Sequence, residues 1–203
     1  MSGHHIATVG NENQIPELIL GESLHGHVEP RVAMVGRSNV GKSSLINALM
    51  EKRLAQTSKD PGKTKLIHFY YWTETKKIIA DLPGYGHARA AQTDRKRWSL
   101  FIDAYLKADR MLERALVLLD ARHGPTPLDV EAIEFLSSSR IPVTFVFTKS
   151  DTLKTQKERS ARHREGMQAL EKFGVTKEQV VWVSVKSKDG LKQLTQMLKP
   201  QSD

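Results

Sequence analysis

Residues 36–43 read Gly-Arg-Ser-Asn-Val-Gly-Lys-Ser and match the phosphate-binding pattern G-x-x-x-x-G-K-[S/T] in full. The apolar run Val32–Val35 precedes them, as expected of a buried strand. Glycines allow the backbone to wrap closely around a phosphate, so that amide N–H groups and the next helix start surround the anion. The stretch therefore predicts a strand, a phosphate-binding loop and a helix in succession, within an α/β fold.

The composition fits one soluble domain. The chain has 203 residues, of which 39% are hydrophobic and 27% charged, and it contains no cysteine. No apolar run is long enough to cross a membrane, and Met1–Gly10 lacks the pattern of a secretory signal. We therefore expect a cytoplasmic monomer without membrane contact. The net charge of +8 creates a field that attracts polyanions, and RNA is the expected partner.

Short apolar runs alternate with helical patterns along the rest of the chain. Five further strands are predicted at Leu66–Trp72, Ile78–Ala80, Ala115–Leu119, Val143–Phe147 and Val180–Val183. The first two are too close in sequence for a crossover helix, so they should pair antiparallel. Thr126 and Pro127 have the signature of a helix start. We predict a three-layer α/β fold, with helices on both faces of a mostly parallel six-stranded sheet that has one antiparallel strand.

The predicted domain covers residues 28–203, after an N-terminal extension of residues 1–27. That extension carries His4, His5, His25 and His27, which could indicate a metal site. Because no partner has ligand spacing, loop histidines are the favoured interpretation.

The phosphate loop gives each polar side chain a role. Lys42 should reach the β- and γ-phosphates, the Ser43 hydroxyl should bind Mg²⁺, and Ser44 is placed for the α-phosphate. The nucleotide-binding residues predicted in this loop are Gly36, Arg37, Ser38, Asn39, Val40, Gly41, Lys42, Ser43 and Ser44.

Three later segments, each at the carboxyl end of a predicted strand, indicate which nucleotide the protein binds. Asp81-Leu82-Pro83-Gly84 is a D-x-x-G, whose Asp can hold a Mg²⁺ water and whose Gly N–H can meet the γ-phosphate. In Thr148-Lys149-Ser150-Asp151 the Asp151 carboxylate can accept two hydrogen bonds from guanine, which adenine does not offer. The third segment is Ser184, Val185 and Lys186, where backbone N–H groups could reach the guanine O6; Val183, Ser184 and Val185 are predicted nucleotide-binding residues. Together they favour a GTPase that hydrolyses GTP to GDP and phosphate.

Longer strings in the chain resemble the EngB (YihA/YsxC) family of bacterial ribosome-assembly GTPases, within the TrmE-Era-EngA-EngB-Septin-like superfamily. They are residues 36–44, 61–64, 81–86, 119–126 and 148–151. The resemblance implies that Thr64 coordinates Mg²⁺ in the GTP state and that Gly62, Lys63, Lys65 and Leu66 complete the same switch. It also implies a nucleotide switch that acts in large ribosomal subunit assembly, contacts that subunit or its rRNA, and is needed for normal cell division and septation.

The chain departs from the family pattern in places. Thr148 replaces the usual Asn, so we expect modest guanine affinity, and Lys65 and His68 stand where Gln and Asn are more common. Tyr85 occupies the position at which Ras-like enzymes have a water-orienting glutamine, so intrinsic hydrolysis should be slow.

Asn39 has two interpretations. In GTPases that resemble this one, an Asn here holds K⁺ beside the phosphates; alternatively, it merely suits a tight turn. The residues expected to act on the γ-phosphate are Lys42, Thr64, Gly84 and Asn39.

Three alternatives remain open from the sequence. The first is a P-loop kinase or ATPase, against which Asp151 argues. The second is a nucleotide-gated RNA- or ribosome-binding module with negligible catalysis, which Tyr85 favours. The third is a G domain that acts in tRNA modification or small-subunit assembly.

Overall fold

The computed structural model describes residues 3–11, 14–15, 24, 26–55, 66–86 and 92–200, and for residues 92–97 only the backbone is described. Seven strands form one sheet: β1 (Gly3–Val9), β2 (Arg31–Gly36), β3 (Ile67–Trp72), β4 (Lys77–Asp81), β5 (Leu112–Asp120), β6 (Val143–Thr148) and β7 (Val180–Trp182). The helices within the described residues are α1 (Lys42–Leu49), α2 (Gln92–Ala108), α3 (Pro127–Ser137), α4 (Gln156–Glu171) and α5 (Leu191–Leu198).

The strand order in the sheet is β1-β3-β4-β2-β5-β6-β7. The pairs β4–β2, β2–β5, β5–β6 and β6–β7 are parallel, whereas β3 runs antiparallel to both of its neighbours. The predicted fold class and the single antiparallel strand are therefore confirmed. Because β4, β2, β5, β6 and β7 run parallel, the loops that follow them meet along one edge of the sheet.

The sheet has one more strand than the sequence analysis predicted. Strand β1 lies inside the predicted N-terminal extension and pairs with β3 from Gly3↔Trp72 to Val9↔Ile67. Ile6 and Val9 are buried, while His4, His5 and Thr8 are exposed. Two apolar side chains were too weak a pattern to predict this strand, because its pairing depends on residues about sixty positions away.

Alternate residues of the central strands enter two separate cores. Ala33 and Val35 of β2 face α2, α3 and α4, whereas Val32 and Met34 face α1 and α5. This arrangement confirms the predicted three layers. In α3, Thr126 is the N-cap and Pro127 the first residue, as the sequence predicted.

The amino end of β2 is held by a buried cluster that we call the basal cluster: Arg31, Asp109 and Tyr105. Arg31 Nη1 donates to Asp109 Oδ1 at 2.6 Å, and both side chains are almost fully enclosed. Tyr105 lies beside them; burial and the neighbouring Asp109 carboxylate raise its pKa, and Arg31 opposes that shift. The cluster joins β2 to α2 and to the turn before β5.

The described residues contain neither a helix long and apolar enough to cross a membrane nor a group of three His, Cys, Asp or Glu placed to hold a metal ion. The histidines of the predicted extension have other contacts. His27 Nδ1 lies 3.0 Å from Glu29 Oε2, and the rings of His4 and His27 pack against Tyr71. His25 lies outside the described residues.

Candidate nucleotide-binding site

The phosphate loop connects β2 to α1 at the centre of the sheet edge. Gly41 precedes α1 with φ 116°, a conformation that L side chains rarely adopt, and it turns the chain into the helix. Lys42 Nζ donates to the Gly36 carbonyl at 3.2 Å, so the ammonium group is folded back over the loop. Ser43 and Ser44 follow in the first turn of α1, and both are half-buried. The loop thus has the strand-loop-helix arrangement that the sequence predicted.

The Asp81–Gly84 segment packs directly on the phosphate loop. Tyr85 O accepts a hydrogen bond from Ser38 N at 2.9 Å, and Arg37 and Tyr85 form an isolated parallel bridge. A Cβ added to Gly84 would lie 3.0 Å from Lys42 Nζ, from Ser38 N and from Ser38 Oγ. Only glycine therefore fits this close approach without displacing its neighbours.

Asp81 and Lys42 form the electrostatic centre of the site. Burial raises the pKa of Asp81 to about 6, and Lys42 opposes that shift. Burial lowers the pKa of Lys42, and Asp81 opposes that shift in turn. Asp81 Oδ1 is buried and has no hydrogen-bond partner among the described residues. A buried carboxylate oxygen without a protein donor requires another partner, such as an ordered water or an ion.

Thr148 connects the base-binding side to the phosphate loop. Its buried hydroxyl lies 2.7 Å from Val40 O and 3.1 Å from Leu119 O, so it donates to carbonyls of the phosphate loop and of β5. These contacts connect the end of β6 to β5 and to the phosphate loop without an Asn side chain. The Thr148 hydroxyl therefore has a structural role at the position where the family more often has an amide.

Lys149 crosses the site from β6 to the phosphate loop. Its Nζ donates to Asn39 O at 2.8 Å and to Asp120 Oδ2 at 2.9 Å. Asp120 also accepts three hydrogen bonds from Arg122, two from the guanidinium and one from the backbone N–H. Burial alone would raise the pKa of Asp120, but the hydrogen bonds from Arg122 and Lys149 outweigh it and hold this pKa below its usual range. Asp120, which sequence reasoning missed, thus anchors Lys149.

Asp151 and Ser184 meet beside Lys149. Ser184 Oγ donates to Asp151 Oδ1 at 2.8 Å and accepts from Ser187 N at 3.0 Å. Ser150 N donates to Val183 O, which joins this loop to the end of β7. The Ser184 N–H donates to Asp189 O at 3.0 Å, so in this structure it is engaged within its own segment. The O6 contact predicted for Ser184, Val185 and Lys186 stays a prediction.

The side chain of Tyr85 points away from the phosphate loop. It is buried, packs edge-on against Trp98 at 5.3 Å, and donates through its hydroxyl to Asp129 Oδ1 at 2.8 Å. Burial and the Asp129 carboxylate raise the pKa of Tyr85 well above its usual value. Tyr85 lacks the amide of a water-orienting glutamine, and its hydroxyl is bound to Asp129 instead.

Asn39 lies at the exposed tip of the loop with φ 64°. Asn tolerates this left-handed conformation better than most residues, which agrees with the turn interpretation. Gly62, Lys63, Thr64 and Lys65 lie outside the described residues, so their predicted roles stay predictions. Leu66 is described and half-buried next to β3. The other described members of the predicted site are brought together at the one sheet edge.

Comparisons with known proteins agree with this geometry. The family model described as "50S ribosome-binding GTPase" matches residues 31–149. The chain is 44% identical to the probable GTP-binding protein EngB of Ligilactobacillus salivarius over 149 residues, which cover 73% of this chain and 74% of the relative. It is 41% identical to the Thermotoga maritima protein of the same name over 143 residues, covering 70% and 72% of the two chains.

Solved structures share the fold. A crystal structure of a probable GTP-binding protein engB superposes with a TM-score of 0.64 at 25% identity and covers 82% of this chain and 95% of its own. Era of Aquifex aeolicus, bound to GDP and aluminium fluoride, superposes with a TM-score of 0.66 at 24% identity and covers 85% of this chain and 57% of its own. The family model and the curated relatives exclude the kinase and ATPase alternatives. The chain belongs to the EngB family of GTP-binding proteins, and it is a GTPase.

Proposed function

We propose that this GTPase is a nucleotide switch in the assembly of the large ribosomal subunit, acting in the cytoplasm, and that normal cell division and septation depend on it. The family description, which names the 50S subunit, supports this proposal. The observation that carries it is a basic, aromatic surface on α4. Residues 28–203 would form the G domain, with β1 added at the edge of its sheet.

The surface on α4 combines positive charge with an exposed ring. Residues 154–172 contain six lysines and arginines against three glutamates. His163 stacks on Trp182 at 3.9 Å, and Trp182 stacks in turn on Phe147 at 4.1 Å. His163 is nevertheless exposed, so the outer face of its ring remains open to solvent. Nucleobases stack on such rings while lysine and arginine contact phosphates, and the chemistry therefore suits RNA.

The partner is tested by co-sedimentation with purified ribosomal subunits in GDP and in a non-hydrolysable GTP analogue. We expect binding to the large subunit with the analogue only. His163→Ala combined with Arg164→Glu should weaken this binding about tenfold and reduce its salt dependence. Lys107→Glu, a matched charge reversal on the exposed end of α2, should leave it unchanged. Equal binding in both nucleotides would contradict the switch, and binding to the small subunit would contradict the partner.

We propose that different site residues bind different parts of the nucleotide. The loop 36–44 holds the phosphates, with Lys42 and Gly84 on the γ-phosphate. Asp151 recognises the guanine ring and Lys149 covers it, while Ser184 orients the Asp151 carboxylate through their hydrogen bond. Asp151→Asn should shift preference from GTP toward xanthosine triphosphate, measured by competition binding; tight binding of ATP by the unmodified chain would contradict this assignment.

The described residues fit Mg²⁺. Ser43 offers a hydroxyl at the start of α1, and Asp81 Oδ1 is a buried carboxylate oxygen that lacks a donor. Such oxygen ligands, directly or through water, are those that Mg²⁺ prefers. The ion would neutralise charge on the β- and γ-phosphates. Thr64, the second proposed ligand, lies outside the described residues.

We propose that K⁺, held by Asn39, raises the rate of GTP hydrolysis in this protein, which has Tyr85 in place of the water-orienting glutamine. Asn39 is exposed and accepts from Lys149 through its own backbone carbonyl, so its side chain is available to a cation at the loop tip. We expect faster single-turnover hydrolysis in K⁺ than in Na⁺, and Asn39→Ala should abolish the difference. Equal rates in the two salts for the unmodified protein would remove the proposal.

A further inference from the structure

The Asp129 carboxylate is fully buried at the third residue of α3. It accepts from Thr126 N at 2.8 Å and from Thr126 Oγ1 at 2.6 Å through Oδ2, and from the Tyr85 hydroxyl at 2.8 Å through Oδ1. Arg37 Nε forms an ion pair with Oδ2 at 3.2 Å. We call Arg37, Asp129 and Tyr85 the site cluster. One carboxylate thus joins a helix start, the phosphate loop and the segment after Gly84.

Helix capping explains only part of this arrangement. The bond from Thr126 N to Oδ2 is one half of a capping box, whose other half is the bond from the Asp129 backbone N–H to the Thr126 side chain; a capping box needs only one carboxylate oxygen and functions at an exposed helix end. The other oxygen is directed to Tyr85, which is distant in sequence and belongs to a different loop. Burying a carboxylate is costly unless several donors surround it, and here two of the partners come from the nucleotide site.

Arg37 and Tyr85, the two partners of Asp129 that come from the nucleotide site, are also joined through their backbones. Arg37 and Tyr85 form the parallel bridge, and Ser38 N donates to Tyr85 O. The backbone bridge thus connects the phosphate loop to the segment after Gly84, and Asp129 connects the same two segments through side chains. Gly84 immediately precedes Tyr85, and it lies against Lys42 and Ser38. A change in the position of Tyr85 is transmitted directly to Gly84, because only one peptide bond separates them.

We propose that Asp129 is a positioning residue for GTP recognition and hydrolysis: through Tyr85 and Arg37 it fixes the Gly84 amide at the γ-phosphate position. The inference rests on the γ-phosphate contact proposed for Gly84. GDP lacks that phosphate, so the site cluster should affect GTP binding and leave GDP binding to the rest of the phosphate loop and to the base-binding residues. A residue with only a structural role would affect both nucleotides alike.

The test compares affinities for GDP and for a non-hydrolysable GTP analogue, each with Mg²⁺. Tyr85→Phe removes one hydroxyl and keeps the ring in place. We expect it to lower the affinity for the analogue roughly threefold to tenfold, as for the loss of one buried hydrogen bond, with GDP affinity within about twofold of the unmodified protein. Single-turnover hydrolysis should fall by a similar factor. Tyr105→Phe is the matched control, since Tyr105 is also buried beside an aspartate but lies in the basal cluster.

Gly84→Ala separates failure of the inference from failure of the proposed site. Its added Cβ would disturb the approach to Lys42 and Ser38, so it should lower affinity for the analogue selectively. If it does so and Tyr85→Phe weakens both nucleotides equally or neither, the positioning role of Asp129 is wrong. If Gly84→Ala itself shows no selectivity, the γ-phosphate contact is wrong and the inference is overturned with it. Asp129→Asn should reproduce Tyr85→Phe with a larger effect, because Arg37 loses its charged partner as well.

Discussion

The two ends of β2 carry the same three side-chain types in different settings. The basal cluster joins Arg31, Asp109 and Tyr105, whereas the site cluster joins Arg37, Asp129 and Tyr85. In the basal cluster the arginine is almost completely enclosed, but Arg37 keeps 26% of its side chain exposed. Tyr105 belongs to the interior of α2, while Tyr85 lies in a loop that continues from the nucleotide site. The same chemistry therefore stabilises the interior at one end and fixes a loop of the nucleotide site at the other.

The largest effect should come from breaking the basal cluster. Arg31→Met leaves Asp109 buried without its charged partner, which costs about 3–5 kcal/mol in such sites. Urea unfolding of the nucleotide-free protein measures this loss. The ratio of GTP-analogue to GDP affinity should stay unchanged in the folded fraction. A change in that ratio would show that the basal cluster also contributes to the site, and would remove the contrast between the two ends.

The next largest effect is an increase in stability, and it is expected at Asp81, the last residue of β4. Asp81→Asn removes a buried charge, and because the pKa of Asp81 in the folded protein is about 6, the nucleotide-free chain should gain roughly 1–3 kcal/mol of unfolding free energy at pH 8. The raised pKa means that the unmodified protein loses stability as pH rises toward 6, so the advantage of the variant should shrink below pH 5. Mg²⁺-dependent hydrolysis should fall sharply.

The two results for Asp81→Asn come from different assays. Chemical unfolding at several pH values gives the stability difference, and phosphate release gives the activity. A destabilised variant at pH 8 would mean that the attraction between Asp81 and Lys42 outweighs the cost of burying the Asp81 carboxylate.

A smaller effect is expected at Asp120, whose pKa shift is opposite to that of Asp81. The folded protein holds the pKa of Asp120 below its usual range, so its contribution to stability is present above pH 4 and is lost as pH falls further. Asp120→Asn should therefore cost about 1 kcal/mol near pH 7. Thermal unfolding should show the difference between variant and unmodified protein shrinking toward pH 3. A difference that is constant with pH would mean that the charge of Asp120 does not contribute.

Affinity for both nucleotides should fall together in Asp120→Asn, since Lys149 loses an anchor on the base side. This parallel loss contrasts with the selective loss expected for the site cluster. A selective loss of GTP-analogue affinity in Asp120→Asn would contradict that division between base and phosphate.

Most of the fold followed from local patterns. The six predicted strands and the helix start at Thr126 were visible because buried parallel strands are continuously apolar and helix caps have a short signature. Strand β1 was missed because its register is set by β3, far away in the sequence. Motif spacing likewise identified Lys42, Asp81 and Asp151, which the structure brings to one edge.

The side-chain connections within the site could not be predicted. Asp129 follows the predicted helix start at Thr126, and nothing in the neighbouring sequence indicates that Tyr85 folds back to meet it. The pairing of the Ser184 N–H with Asp189 depends on the shape of one loop. Sequence patterns report which residue types a fold requires, whereas these contacts depend on the direction in which a loop residue turns.

The position of β1 also has a consequence for synthesis. Thr8 and His68 touch across the β1–β3 pair although 60 residues separate them, so at roughly 5–20 residues per second β1 waits about 3–12 s before its partner strand is made. During that interval the strand has no neighbour in its own chain. The shift in register between His5 and Ala7 is an irregularity of the kind that makes an edge strand a poor template for pairing with another chain. The irregularity of β1 therefore disfavours pairing between chains during the interval in which its own partner strand is still being made.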